Sequence, residues 1–568
     1  MIRTARSDEI SRMGPPRFLP VLLAFCMFST GASGLVNEYV LATMTTYILG
    51  NSIEQFSIII AAMMLMMGVS GLAQRSMSDD HLIVKFMGLE IIMALSASIA
   101  PLAIYAAFAY FNDHFIFVHY FFVLVIGFLI GFEIPLVMRI IEQYKVTLKT
   151  NLALVYAMDY IGAFIGAMIW VKLLLVYFPL AKISFIVAGF NFLVAALTIL
   201  YFIRTGVIQR PWWPVVLLAG TSLFLVFGLF RSVDLSHLLE QRFYDDPIIH
   251  KETSRYQHLV LTHDRAKDDL RLYINGNTQF SSVDEARYHE LLTHPVMSLK
   301  PEARHVLVLG GGDGLALREI LKYPTVEKIT VIDLDPAVVH LAATHPQLRA
   351  LNRDAFADAR VLVDAPEYAA RYSVQDVYAR HRRESKPEWV AAVDVFHVDA
   401  DRFLNVSHDH VWDVAILDFP DPGSVELAKL YSRQFYAKLA AHLADDALVA
   451  VQSTSPFHAK SAFLAVGNTL RASGFEALPY RQNIPSFGDW GFYLAWKDER
   501  SVDQIKRALH GVTGFSVDTV FLTPALMQAS FAFGKHELSL DKGREACVNS
   551  VMNPCLFTHY VRESWRVP

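Results

Sequence analysis

Seven long apolar runs fill the first 230 residues of this 568-residue chain and constrain its fold more than any other feature. They fall near 20–48, 54–74, 86–111, 115–138, 152–177, 180–203 and 211–230, each close to the ~20 residues a helix needs to cross a hydrocarbon core. Lipid offers backbone amides no partner, so such runs are read as membrane-spanning helices. The polar start, with Arg3, Arg6, Arg12 and Arg17, precedes an apolar run too long for a signal-peptide core. Basic residues recur at alternate loops: Arg75 and Lys85, then Arg139, Lys145 and Lys149, then Arg204 and Arg210. The positive-inside rule puts these loops and the N-terminus in the cytoplasm. Glu38, Glu90, Glu133 and Asp159 lie within or beside the runs. Intramembrane acids often mark a pathway, but hydrogen bonding inside the bundle is the favoured reading here. Gly162 and Gly166 have the small-xxx-small spacing of packed helices.

Outside these runs the composition excludes more than it asserts. Charged residues are 18% of the chain, below the ~25% of ordinary soluble domains. A net charge of −5 gives no reason to expect nucleic acid. Cys26, Cys547 and Cys555 lack CxxC spacing, which argues against a disulfide framework or a zinc site and fits a reduced compartment.

From about 236 the composition becomes that of a soluble domain, and its central stretch is VLVLGGGDGLALREILKYPTVEKITVIDLDP, Val306 to Pro336. A buried strand, Val306–Leu309, meets Gly310, Gly311 and Gly312, which allow a tight turn and close backbone approach to a ligand. Leu315, Leu317 and Ile320 return at helical spacing, and a second strand, Ile329–Ile332, ends in Asp333. This is the βαβ pattern of a nucleoside site, with an acid placed for a ribose. Asp313 lies inside the turn, where a pyrophosphate would meet repulsion; a nucleoside carrying positive charge fits better. Upstream, Leu270–Ile274 pairs with Thr278–Ser281 across Asn275–Gly276 in a small antiparallel sheet.

GGGDG followed by VIDLDP resembles the spermidine synthases, polyamine aminopropyltransferases on a methyltransferase-like fold. The ordered series before it supports the resemblance: Tyr256–Gln257, Asn275–Gly276 with Gln279, Asp284–Glu285 with Tyr288–His289–Glu290, and His294–Pro295. Downstream, Asp418–Phe419–Pro420–Asp421–Pro422 is similar to the family's D-x-x-D-P and to the long, membrane-anchored bacterial subgroup. The resemblance implies roles residue by residue. Gln257, Gly310, Gly312, Asp313, Asp333, Asp399 and Ala400 would hold decarboxylated S-adenosylmethionine, with Asp313 on its aminopropyl ammonium, Asp333 on the ribose, and Asp399 and Ala400 on adenine. Asp364 competes with Asp399 for that contact. His289, Gln279, Asp421 and Gln452, with Asp313, would line the amine site. Asp418 would be the base, with Tyr288 beside it. No metal or cofactor is implied, because the co-substrate's sulfonium is already a leaving group. Two departures weaken the choice of amine: Phe487 stands where a tyrosine is usual, and Val425 where the family carries a longer proline-containing tail. Putrescine is the first choice, with cadaverine and spermidine open.

The expected architecture is a multi-pass helical membrane domain (1–235), an N-terminal β-hairpin part (236–295), a Rossmann-like catalytic domain (296–500) and a helical extension (501–568) given no chemistry. A charged insertion is expected at 365–394. Partners are the polyamine and nucleoside substrates, membrane lipid and, by resemblance, a second copy of the chain. Seven crossings from a cytoplasmic N-terminus would leave the catalytic part outside, where a cytosolic nucleoside is absent. The first run, interrupted by Gly31, Gly34, Asn37 and Glu38, is therefore expected to be re-entrant or interfacial, with the catalytic part on the cytoplasmic face of a bacterial inner membrane. Two other activities fit parts of the pattern: an amine methyltransferase, which Asp313 opposes, and a non-catalytic polyamine sensor or transporter, which Asp418 and Tyr288 oppose.

Overall fold

The computed structural model describes residues 19–49, 52–111, 114–143, 148–206, 208, 212–357, 361–363, 392–407, 411–540 and 546–564. The chain divides into two units, Met1–Pro247 and Ile248–Pro568.

The first unit contains the helices Leu19–Leu49, Ser52–Ala73, Leu82–Tyr110, Phe115–Gln143, Leu148–Ile169, Leu180–Arg204 and Trp212–Glu240, here the first to seventh. Among the described residues, seven helices are long and apolar enough to cross a membrane. The first runs unbroken through Gly31, Gly34, Asn37 and Glu38, so these residues do not interrupt it as expected. Gly31 and the glycines of the fifth helix serve approach rather than interruption. A Cβ at Gly31 would lie 2.1 Å from the Asp159 carbonyl oxygen, one at Gly162 2.0 Å from that of Phe28, and one at Gly166 2.6 Å from that of Ala32. Backbones this close require glycine. The seventh helix continues past residue 235 to Glu240.

The second unit carries two sheets. The smaller is a meander, β1 (Ile248–Thr253), β2 (His258–Asp264), β3 (Asp269–Ile274) and β4 (Asn277–Ser281), in that order. Asn275 and Gly276 form the β3–β4 turn with φ of 50° and 79°, as an Asn-Gly pair favours. The larger sheet comprises β5 (His305–Gly310), β6 (Lys328–Asp333), β7 (Val361–Val363), β8 (Ala392–His397), β9 (Trp412–Asp418), β10 (Leu443–Gln452), β11 (Glu476–Ile484) and β12 (Gly488–Trp496). Its order is β11-β12-β10-β9-β5-β6-β8-β7. β10 through β7 run parallel, and β12 is antiparallel to both neighbours. Val306–Leu309 and Val414–Leu417 are wholly buried, which is why these strands are continuously apolar instead of alternating.

The helix Glu285–Leu299 covers one face together with Ile505, Leu509, Leu522 and Met527; Phe403, Phe435, Tyr436 and Phe463 cover the other. The extension beyond 501 is therefore part of this unit's core. Buried Glu290 fastens it by accepting backbone N–H groups of Val520, Phe521 and Leu522 at 2.5, 2.9 and 2.7 Å. Cys547 and Cys555 form a disulfide, contrary to the expectation drawn from their spacing. The bond joins the start of the helix Cys555–Ser564 to the segment before it, a tertiary closeness that CxxC counting does not detect. Asp364 and most of the expected charged insertion, 365–391, lie outside the described residues.

Candidate active site

The parallel register sets Gly310 of β5 opposite Asp418 of β9, and Asp333 of β6 opposite His397 of β8. The carboxyl ends of the strands therefore meet at one edge, where ligands bind in open α/β sheets. Crowding there demands the glycines. A Cβ on Gly310, at φ 89°, would lie 2.1 Å from the Asp418 carbonyl oxygen, and one on Gly312 2.5 Å from Asp333 Oδ2. Gly312 instead donates its N–H to that oxygen at 2.9 Å, while Asp335 donates to Asp333 Oδ1 at 2.9 Å. Burial pushes the Asp333 carboxyl up to about 6 against the pull of these two bonds. Asp313 accepts the Leu315 N–H at 2.9 Å within the same turn.

Tyr288 donates its hydroxyl to Asp418 Oδ1 at 2.6 Å. Burial raises Asp418 to about 6, with Asp313 adding to the rise and His289 and the Tyr288 hydrogen bond opposing it. The charges of residues 313 and 418 therefore act on one another across the strand ends. Burial disfavours charge on His289, yet its bond to Glu285 (2.9 Å) and the carboxylates of Asp313 and Asp418 hold its pKa up, at about 9. Glu285 is fixed from its other side by a bidentate pair with Arg318, 2.8 and 2.9 Å. A cationic imidazole thus stands among the acids of the cleft.

Asp421 has its own set of donors. Gln452 reaches Oδ1 at 3.0 Å and Thr454 reaches Oδ2 at 3.3 Å, with Tyr560 bonded as well. Burial raises this carboxyl to about 6, and the three hydrogen bonds lower it. The turn between β11 and β12 supplies a wall: Phe487 stands edge-on to Tyr288 with centroids 6.1 Å apart, and Ser486 bonds Asp284 at 2.7 and 2.9 Å.

Not every expected residue joins this set. Gln257 lies in the turn before β2, tied by Ser254 to Asp335 at 2.5 Å, beside the Asp333 end of β6. Gln279 turns back to the Asn277 carbonyl of its own strand at 3.2 Å. Asp399 caps the helix that Ala400 begins, accepting the Arg402 N–H at 2.9 Å, and pairs with Lys429 at 3.2 Å. Reading the sequence gave no role to Arg318, Thr454 and Tyr560, which act across separations of tens to more than a hundred residues, and it quoted Glu285 only as part of a motif. Among the described residues, Glu290, His294 and Glu319 have metal-ligand proximity. Their atoms are already engaged: Glu290 with the backbone of 520–522, His294 with Tyr323, and Glu319 with His294, Arg318 and Lys322. This is a folding network.

An open, mostly parallel sheet with buried acids at its carboxyl edge defines a Rossmann-like protein with a site for cationic substrates. Comparison with known proteins narrows the class. A spermine/spermidine synthase domain matches residues 285–378 and 390–506. Polyamine aminopropyltransferase 2 of Ralstonia nicotianae is 36% identical over 546 residues, 96% of this chain and 98% of that protein. The polyamine aminopropyltransferase of Oceanobacillus iheyensis is 33% identical over 537 residues, 94% of this chain and 95% of that one. A solved spermidine synthase from Thermotoga maritima is similar over 51% of this chain and 87% of its own, with 21% identity and a TM-score of 0.40. The chain belongs to the spermine/spermidine synthase family, and its likeness to the two curated relatives extends over nearly its whole length, helical unit included.

Proposed function

We propose that this protein is a polyamine aminopropyltransferase, moving the aminopropyl group of decarboxylated S-adenosylmethionine to putrescine or a related amine to give spermidine and S-methyl-5'-thioadenosine. The observation that supports it most is the pairing of Tyr288 with Asp418 at 2.6 Å, in electrostatic reach of Asp313 on the neighbouring strand end. A protonated amine is no nucleophile, and its ordinary pKa is near 10.4. Raising the Asp418 acceptor to about 6 narrows the gap by about two units, or about 3 kcal/mol. The His289 cation disfavours the ammonium form of a nearby amine in the same direction. Asp418 takes the proton, the nitrogen lone pair forms the new C–N bond, and the C–S bond breaks with its electrons passing to sulfur. Asp421, oriented by Gln452, Thr454 and Tyr560, grips the amine's far cationic end. Asp313 holds the aminopropyl ammonium and repels the carboxylate that ordinary S-adenosylmethionine would bring. Asp333 and Gln257 take the nucleoside, and Asp399 and Ala400 its adenine. Purified protein given decarboxylated S-adenosylmethionine and putrescine should release methylthioadenosine; release with ordinary S-adenosylmethionine instead would indicate a methyltransferase.

The helical unit is read as membrane-embedded, since side chains such as Leu72, Leu223 and Phe230 are 78%, 74% and 75% exposed on its outer faces, an apolar surface suited to lipid. The catalytic unit is placed on the cytoplasmic side, where the nucleoside is made, and a dimer through the β1–β4 piece is proposed by family resemblance. A second reading puts the catalytic unit outside. The odd number of apolar helices among the described residues, seven, and the Cys547–Cys555 disulfide favour it, because disulfides persist in oxidising compartments. Alkaline phosphatase and green fluorescent protein fused after residue 247 separate the two: phosphatase activity supports the outside reading, and fluorescence the cytoplasmic one.

A further inference from the structure

We propose that the Cys547–Cys555 disulfide is a redox-set brace for the amine site: its reduction frees the C-terminal helix that carries Tyr560 and weakens amine binding at Asp421. That Asp421 holds the amine rests on the function proposed above. Residues 546–564 form a strap that meets the acid loop at two places. At the first, buried Asn549 donates its amide to the carbonyls of Ala428 and Tyr431 at 2.7 and 3.1 Å. Its backbone carbonyl accepts the Arg433 N–H at 2.9 Å, and its N–H donates to Thr469 Oγ1 at 2.9 Å. The Tyr431 hydroxyl in turn reaches the carbonyls of Phe419 and Pro420 at 3.2 and 3.1 Å. The second place is Asp421 itself, to which Tyr560 donates. The Tyr560 ring lies against Gly423, where a Cβ would stand 3.7 Å from Cε1.

The two places are not held equally. Asn549 is fixed on every side, but the helix Cys555–Ser564 has only ten residues, too few to persist without tertiary support. Besides Tyr560, it is tied by buried Leu556 and by Glu563, which accepts the Ser461 N–H at 2.8 Å where the helix Lys460–Ala472 begins. Its first residue is Cys555, and the disulfide fixes that end to Cys547, beside the Ala546 carbonyl that Asn468 anchors at 2.8 Å. The cysteines are eight residues apart, and closing a loop of about this length favours the closed form roughly a hundredfold in the chain-entropy account. Val551 and Met552 between them are exposed, so packing does not replace the bond. Both cysteines are partly exposed and within reach of a reductant, whereas Cys26 is free already and buried in the helical unit. A dithiol of the thioredoxin class supplies two electrons and two protons: the S–S bond breaks, two thiols form, and the reductant closes its own disulfide. Cytosolic disulfides are mostly transient or redox-sensing, so on the cytoplasmic side proposed above amine affinity follows the redox poise.

The test uses the full chain in lipid nanodiscs, assayed for methylthioadenosine release from decarboxylated S-adenosylmethionine and putrescine. Dithiothreitol, or Cys547→Ser with Cys555→Ser, should raise KM for putrescine threefold or more, with kcat and KM for the nucleoside within twofold. In a Tyr560→Phe background neither treatment should move KM for putrescine by more than twofold, because the route to Asp421 is already cut. Hydrogen exchange of residues 555–564 should quicken at least tenfold on reduction, while that of β5 and β9 stays as it was, which reports that the unit remains folded. Reoxidation should restore KM and exchange in the unsubstituted chain. An unchanged KM or unchanged exchange after reduction, or a rise of equal size in the Tyr560→Phe background, would overturn the proposal. Calorimetry of putrescine binding with S-methyl-5'-thioadenosine present separates the two readings. Weaker binding on reduction without any turnover would sink the proposed activity alone, and turnover indifferent to reduction would sink this inference alone.

Discussion

Both units of the chain bury carboxylates, and they treat them in opposite ways. In the catalytic unit each buried acid has assigned donors: Tyr288 for Asp418, Gln452 and Thr454 for Asp421, and backbone N–H groups for Asp333. In the helical unit Glu90 and Glu133 hydrogen-bond to each other, and Thr30 donates to Glu133. A donor that stays put keeps a carboxylate aimed while substrates come and go. Two acids bonded to each other satisfy one another inside an apolar bundle. The first arrangement suits chemistry, the second suits packing.

The contrast is tested most severely at Asp418. Asp418→Asn keeps the Tyr288 contact but removes the proton acceptor, so turnover should fall by about 10²–10⁴-fold with methylthioadenosine affinity near normal by calorimetry; full activity would refute the base assignment. Asp313→Asn should lower kcat/KM for the decarboxylated co-substrate by about 10²-fold, from loss of a charge-assisted hydrogen bond of up to about 3 kcal/mol, and should narrow the preference over ordinary S-adenosylmethionine; an unchanged preference removes Asp313 from that role. The pH profile should be a bell. Asp418 must be ionised, so activity rises through about pH 6, and His289 must keep its proton, so activity falls above about pH 9, each limb changing about tenfold per unit. Stability drawn from the His289 cation follows the same upper limb, complete below the ordinary histidine value and lost as pH rises through about 9. Tyr560→Phe removes one donor to Asp421 and should raise KM for the amine about five- to tenfold, the worth of about 1–1.5 kcal/mol, with kcat little changed. Glu90→Gln should leave turnover within twofold; a larger loss would mean that the acids of the helical unit serve the catalytic cycle.

What the residues disclosed beforehand follows from where the forces act. The glycine turn was legible because Gly310 and Gly312 face neighbouring strands at distances no side chain tolerates, and such a constraint must appear as glycine. The seven helices were legible because length and apolarity alone define them. The Asn275–Gly276 hairpin was legible because its backbone torsions favour those two residues. The supports of the site were not. Arg318 steadies Glu285 from 33 residues away, and Tyr560 reaches Asp421 from a helix at the far end of the chain. Nothing local marks either residue. The break expected in the first helix failed for a related reason: Gly31 loosens an isolated helix, but here the fifth helix packs against it and the close approach holds it.

The position of Tyr560 also bears on how the molecule is made. Ribosomes deliver the apolar helices before the glycine turn, the turn before Asp421, and the segment carrying this hydroxyl later still. Glu290, likewise, waits some 230 residues for the backbone it fastens. A nascent chain can therefore have its glycine turn and Asp421 in place while that carboxylate still lacks one of its hydrogen-bond donors.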